Sequence, residues 1–141
     1  MASTLAAQPA ERWARLFTLV ADLTPADLQV PWGGGQKLDD GSVQVPFPIY
    51  SDAINAVIGL LYELNVVVVF NWSEWHRTTP LFPDAHGLAD APVADAARLT
   101  TTFIRGERFS DGAIQGAIES GALQAIFTRL RRWFDEEYPA R

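Results

Sequence analysis

Leu123-Gln-Ala-Ile-Phe-Thr-Arg-Leu-Arg-Arg-Trp-Phe134 decides the fold class of this chain. Leu123, Ile126, Phe127, Leu130, Trp133 and Phe134 recur at helical spacing and leave Arg129, Arg131 and Arg132 on the outer face. The stretch therefore predicts an amphipathic helix, stopped by Pro139, whose apolar stripe needs partners of the same kind. Just upstream, Ser110 is expected to cap a short helix with Asp111 in its first turn. Ala113, Ile114, Ala117 and Ile118 form its apolar face, and Gly121 ends it or acts as a hinge.

The same periodicity recurs further out. Asp90 is expected to cap a helix running to about Gly106, with Val93, Ala96, Ala97, Leu99, Phe103 and Ile104 inward. Ser51 precedes Ile54, Val57, Ile58, Leu61 and Leu64, the predicted central helix. Trp13, Leu16, Phe17 and Val20 predict a helix from about Pro9 to Leu23, with one further turn possible from Ala26 to Val30. Between them, Gln36 to Leu38 and Ser42 to Val45 flank Asp39-Asp40-Gly41, a turn signal for a short hairpin. Pro46 and Pro48 are expected to prevent further pairing and to send Phe47, Ile49 and Tyr50 across the core in an extended segment. Val66 to Val69 reads as a short buried strand, and Asn71 to Asp90 as mostly loop with one turn around Ser73 to His76. The expectation is a mainly α, single compact domain over 1–141, of about five helices with one short β-hairpin.

Composition narrows the function classes. A chain of 141 residues suits one domain, and its 48% hydrophobic content excludes a disordered tail or a low-complexity linker. A net charge of -6 repels polyanions, so neither nucleic acid nor an anionic membrane is an expected partner. The absence of cysteine excludes disulfide scaffolds, thiol nucleophiles and cysteine-ligated metals, and is compatible with a cytoplasmic location. Met1 to Thr24 has no basic leading segment, and Glu11, Arg12 and Arg15 interrupt its apolar residues, so it does not read as a signal peptide. The longest apolar run, Val66 to Phe70, is far short of the roughly 20 residues that span a membrane.

Two clusters invite a chemical reading. Phe70-Asn-Trp-Ser-Glu-Trp-His76 gathers aromatic rings, an acid and an imidazole: Trp72 and Trp75 as pocket walls, Glu74 or His76 as acid or base. Equally, Asn71 and Glu74 fit a capping-box-like turn whose tryptophans face the core. In Arg105-Gly-Glu-Arg-Phe-Ser-Asp-Gly112, Arg105 and Arg108 can share a face and grip a carboxylate or phosphate, helped by backbone donors of the helix after Ser110. The competing reading pairs them internally with Glu107, Asp111 or Glu119. Gly33-Gly34-Gly35 lacks the Lys-Ser/Thr ending of a phosphate loop, and His76, His86, Asp84 and Asp90 have no recognisable metal-ligand spacing. No Gly-x-Ser-x-Gly elbow is present. Arg129, Arg131 and Arg132 are balanced by Asp135, Glu136 and Glu137, as on a solvated helix face.

Taken together, Trp32 with its glycines, Asp40-Gly41 leading to Val45-Pro46, Tyr50-Ser51, Leu61-Tyr-Glu-Leu64, Phe70-Asn-Trp72 with Trp75, Arg105 to Gly112, Glu119-Ser-Gly121 and Arg129-Leu-Arg131 resemble an uncharacterised bacterial family, domain of unknown function 6508. The resemblance covers about 32–132. The family pattern has aspartate where this chain has Asn71, an exchange that keeps an N-cap and removes a carboxylate. The resemblance implies a domain and no activity, cofactor or partner. The residues themselves point to a small cytoplasmic, non-enzymatic module that binds a protein partner or a small anionic ligand. Arg105 and Arg108 would be the anion contacts, with Trp72, Trp75 and His76 around the pocket, and no catalytic residue, cofactor or metal is expected. The alternative is an enzyme acting on a phosphorylated or carboxylated small molecule, with Glu74 or His76 as acid-base and Arg105 and Arg108 as anion clamp. A homo-oligomer joined through an exposed aromatic patch is a third reading.

Overall fold

The computed structural model describes residues 2–138. Its architecture is mainly α, as the apolar periodicity demands, with seven α-helices and one two-stranded antiparallel ribbon among these residues. Helix α1 is Ala2–Ala6 and α2 is Ala10–Ala21. Helix α7, Ala122–Glu137, buries all six stripe residues from Leu123 to Phe134. Trp13 of α2 meets Trp133 edge-on with centroids 5.1 Å apart, and Phe17 lies 5.3 Å from Phe134. Trp13 is fully buried, and its indole N–H donates to the Leu5 carbonyl, so the polar atom of a large apolar ring is satisfied. Pro139 falls outside the described residues.

Helix α3, Asp52–Glu63, begins as expected with the Ser51 hydroxyl accepting from the Ile54 N–H. It ends because Asn65 adopts φ 60, while the Val66 N–H returns to the Leu61 carbonyl, a left-handed stop that asparagine tolerates well. The valine run beyond it forms no strand, contrary to its β-branched composition. Val66 is buried, but Val69 is fully exposed, and the segment is held by Thr101, whose hydroxyl accepts from the Val68 N–H at 2.9 Å. No neighbouring strand offers a ladder there, so propensity has nothing to act on.

Helix α4 is Trp72–Thr78 and α5 is Val93–Gly106. The central position belongs to α5 and not, as expected, to α3: Leu99 to Ile104 are six consecutive buried residues. Thr100, Thr101 and Thr102 are buried without penalty because their hydroxyls donate to the carbonyls of Ala96, Ala97 and Arg98. Asp90 does not cap this helix. It ends a 3-10 turn, Leu88–Asp90, and Pro92 begins α5 with a backbone that its ring pre-sets. The stretch read as loop thus holds α4 and this turn, and α1 was likewise not foreseen.

Helix α6, Ala113–Glu119, starts without a cap from the Ser110 side chain; Gly112, at φ 97, occupies the N-cap and Asp111 lies ahead of the first turn. Gly121, at φ 83, separates α6 from α7. On α7, Arg131 and Arg132 pair with Asp135 and Glu136, but Arg129 turns inward and donates to the Ala91 carbonyl at 3.0 Å.

The ribbon is longer and less regular than expected. Strand β1, Trp32–Gly33, pairs with β2, Phe47–Pro48, and Lys37 bridges Val43 in the same register nearer the Asp39-Asp40-Gly41 turn. Pro48 does not prevent pairing. The Ile49 N–H donates to the Pro31 carbonyl at 2.7 Å, which leaves the Trp32–Pro48 pair as one where no N–H is called for. Phe47 and Ile49 do not cross the core; with Val43 and Val45 they form an exposed row, opposite glycines at 33 and 35.

Candidate functional site

Asn71 accepts from the Glu74 N–H and donates its amide to the Glu74 carboxylate at 2.9 Å, the reciprocal cap that the sequence suggested. This cap fixes the start of α4 and sets Trp72, half-buried, beside the end of α5. At that end, the last turn of α5 carries Arg105, and tight backbone bonds from Arg108, Phe109 and Ser110 back to residues 105 and 106 fold the chain sharply. Arg108 and Phe109 project outward from this turn.

Glu107 points the other way. Its carboxylate accepts from the Gly112 N–H at 2.7 Å, the Ile114 N–H at 2.8 Å and the Tyr50 hydroxyl at 2.6 Å. The free donors at the start of α6 are therefore filled by the protein's own carboxylate, and the expected backbone contribution to an external anion site is not available. Tyr50 also accepts from the Gln115 N–H, and the Trp32 indole donates to the Gln115 side chain at 2.6 Å. Burial first, and then its bond to Glu107, push the Tyr50 phenol far above its ordinary range. Trp32, Tyr50, Glu107 and Gly112, four of the residues that carry the family resemblance, thus form the joint between ribbon and helices.

With Glu107 committed, the arginines lose one of their three expected partners, and Asp111 forms no ion pair with them. Glu119 is likewise engaged, by the Gln115 amide, and among the described residues nothing pairs with Arg105 or Arg108. Both arginines line an open recess of about 500 Å³ together with Trp72, Ser73 and Phe109. A second cleft of about 490 Å³ contains His76 and shares Trp72 and Phe109 as walls. The His76 Nδ1 lies 3.0 Å from the Trp72 carbonyl, which can only accept, so Nδ1 carries a proton and the neutral ring's free lone pair is on Nε2.

The fold brings four of the five candidate binding residues together: Arg105, Arg108, Trp72 and His76. Trp75 lines neither cavity; it packs edge-on against Phe70 at 5.8 Å and against the core. Glu74 is exposed, held by Asn71, and also lines neither cavity. Of the aromatic walls, Phe103 reads from the sequence only as a core residue, and Phe82 and Phe109 were not singled out. Only Phe109 carried a signal, as a phenylalanine directly beside an arginine in a glycine-flanked turn. Among the described residues no three histidine, aspartate or glutamate side chains converge as metal ligands, and no helix is long and apolar enough to cross a membrane.

Compared with known proteins, the chain matches the model of a family of unknown function over residues 8–136, which extends past the motif-bearing stretch to include the Trp13 helix. No curated protein and no solved structure matches it.

Proposed function

The chain belongs to that family, DUF6508, and we propose that it is a small cytoplasmic, bacterial module that binds an anionic small molecule at the Trp72, Arg105 and Arg108 recess without transforming it. The observation that carries this reading is a pair of arginines beside an aromatic wall that have no partner among the described residues, in a protein whose net charge is -6. An acidic chain has carboxylates to spare, yet Glu107 is drawn away into the α6 cap and Glu119 into a bond with Gln115. Two cations left on one recess favour a carboxylate or phosphate, held by planar two-point hydrogen bonds.

The preference for binding over catalysis rests on Glu74. The enzyme reading needs an acid-base carboxylate near the arginines, and Glu74 is tied to Asn71 outside both cavities. His76 is oriented by the Trp72 carbonyl, but no carboxylate lines its cleft, so it supplies one imidazole with no second acid-base group beside it. The test is a thermal-shift titration of the wild-type chain and an Arg105→Gln/Arg108→Gln variant with a panel of carboxylates and phosphates. A compound present at 100 times its Kd adds about 2.7 kcal/mol of stability. The expected result is a shift for the wild type that the folded variant loses; a shift that the variant retains refutes the assignment.

A further inference from the structure

The arginine recess does not end at Trp72. The Trp72 and Phe109 rings, 5.9 Å apart, stand between it and the second cleft and form a wall of both. His76, Phe82 and Phe103 also line that cleft, with Gly106, Ala113 and Gly116 among its small lining residues. A Cβ added at Gly106 would only reach ordinary contact with Trp72 and Ala113, and one at Gly116 would meet nothing within 4 Å. Phe109 is 81% exposed, a large apolar ring that water covers where a ligand's apolar part would otherwise sit.

We infer that both cavities serve one ligand: an amphipathic small-molecule anion whose apolar body fills the aromatic cleft while its carboxylate or phosphate rests on Arg105 and Arg108. The inference rests on the anion-binding reading of the recess and adds the apolar half. Each volume is within the roughly 300 to 1,000 Å³ of small-molecule sites, and the apolar lining with a few polar groups at one end is their usual chemistry. A simple inorganic anion would leave the cleft unused, and a neutral apolar compound would leave two charges unanswered at its mouth.

Straight-chain carboxylates from butanoate to decanoate, and the alcohols of equal length, provide the test by titration calorimetry on the full chain. The expected Kd tightens about four-fold for each added methylene, since each buried one contributes about 0.8 kcal/mol. The alcohols bind at least ten-fold more weakly. Arg105→Gln/Arg108→Gln abolishes the preference for carboxylate over alcohol and keeps the chain-length trend. Gly116→Leu, which places a side chain in the cleft from an open helical position, flattens the trend and leaves butanoate binding unchanged; Ala113→Met is the second variant should the first not fold. Carboxylates that bind through the arginines with no dependence on length overturn this inference and leave the anion site standing. Alcohols that bind as well as carboxylates, or no binding across the series, overturn both.

Discussion

Replacing Glu107 by alanine removes the acceptor that joins the ribbon, the end of α5 and the start of α6. Three donors lose their partner at once: the Tyr50 hydroxyl and the N–H groups of Gly112 and Ile114, now bonded at 2.6, 2.7 and 2.8 Å. A buried donor left unpaired costs about 1 to 3 kcal/mol, and Tyr50 and Gly112 are half-buried, so water recovers part of their loss. At the low end of that range for each, the variant loses about 3 kcal/mol. For a chain of this length that lowers the thermal midpoint by roughly 10 °C. Glu107→Gln keeps one oxygen but turns an amide N–H toward a donor, so it loses about half as much. Urea unfolding followed by tryptophan fluorescence measures both, and a double-mutant cycle with Tyr50→Phe isolates the pair. The cycle is expected to show a coupling of about 1 kcal/mol or more, because Tyr50→Phe has less to lose once the carboxylate is gone. A loss below about 1 kcal/mol for Glu107→Ala, or strictly additive effects with Tyr50→Phe, would refute the view that this carboxylate organises the joint.

Three other perturbations separate residues that look alike in the sequence. Gly112→Ala places a side chain at φ 97 with its Cβ 3.0 Å from the Trp32 ring, and is expected to cost about 2 kcal/mol; Gly116→Ala, in an open helical position, should gain about 0.5 to 1 kcal/mol. Thermal melts that rank the two the other way would contradict the backbone assignment. Thr101→Val strands the Val68 N–H and is expected to cost about 1 to 2 kcal/mol, whereas Thr100→Val gives up only a bond to its own helix and should be nearly neutral. Equal losses in urea titrations would show that Thr101 does not hold the valine segment. Finally, the Tyr50 phenol ionises higher in the folded chain than in the unfolded one, so its contribution is complete below pH 10 and declines as the pH rises beyond that value. The slope has a limit of about 1.4 kcal/mol per pH unit, and exposure of the half-buried ring narrows the pH range over which it acts. Tyr50→Phe should reduce the slope without removing it, since burial also raises Tyr138; an unchanged slope would count against a protonated Tyr50 at the joint.

Periodicity made most of the helical frame legible. The stripes of α2, α3, α5 and α7 hold most of the buried apolar residues of those helices, with Leu60 and Ala122 outside them, and Ser51 and the Asn71–Glu74 pair act as caps because both signals are local. What failed was set by tertiary neighbours. Val66 to Val69 has a strand's composition and no strand to join, and Thr100 to Thr102 look polar until their hydroxyls turn back to the helix. Ser110 and Asp90 are good capping residues one turn from where the helices begin, displaced by Gly112 and Pro92. For the site, the arginines and Trp72 were legible as a motif, but their freedom was not. It depends on Glu107 bonding to Tyr50, 57 residues away in sequence, which no spacing rule announces.

The Tyr138 hydroxyl lies 2.8 and 2.7 Å from the carbonyls of Ala6 and Gln8. One phenol therefore ties the end of α7 to the connection between α1 and α2, 132 and 130 positions away in sequence. A circular permutation that joins Tyr138 to the residues ahead of α2 would keep this tie, and the exposed turn at Asp40 and Gly41 offers a place to open the chain without cutting a helix.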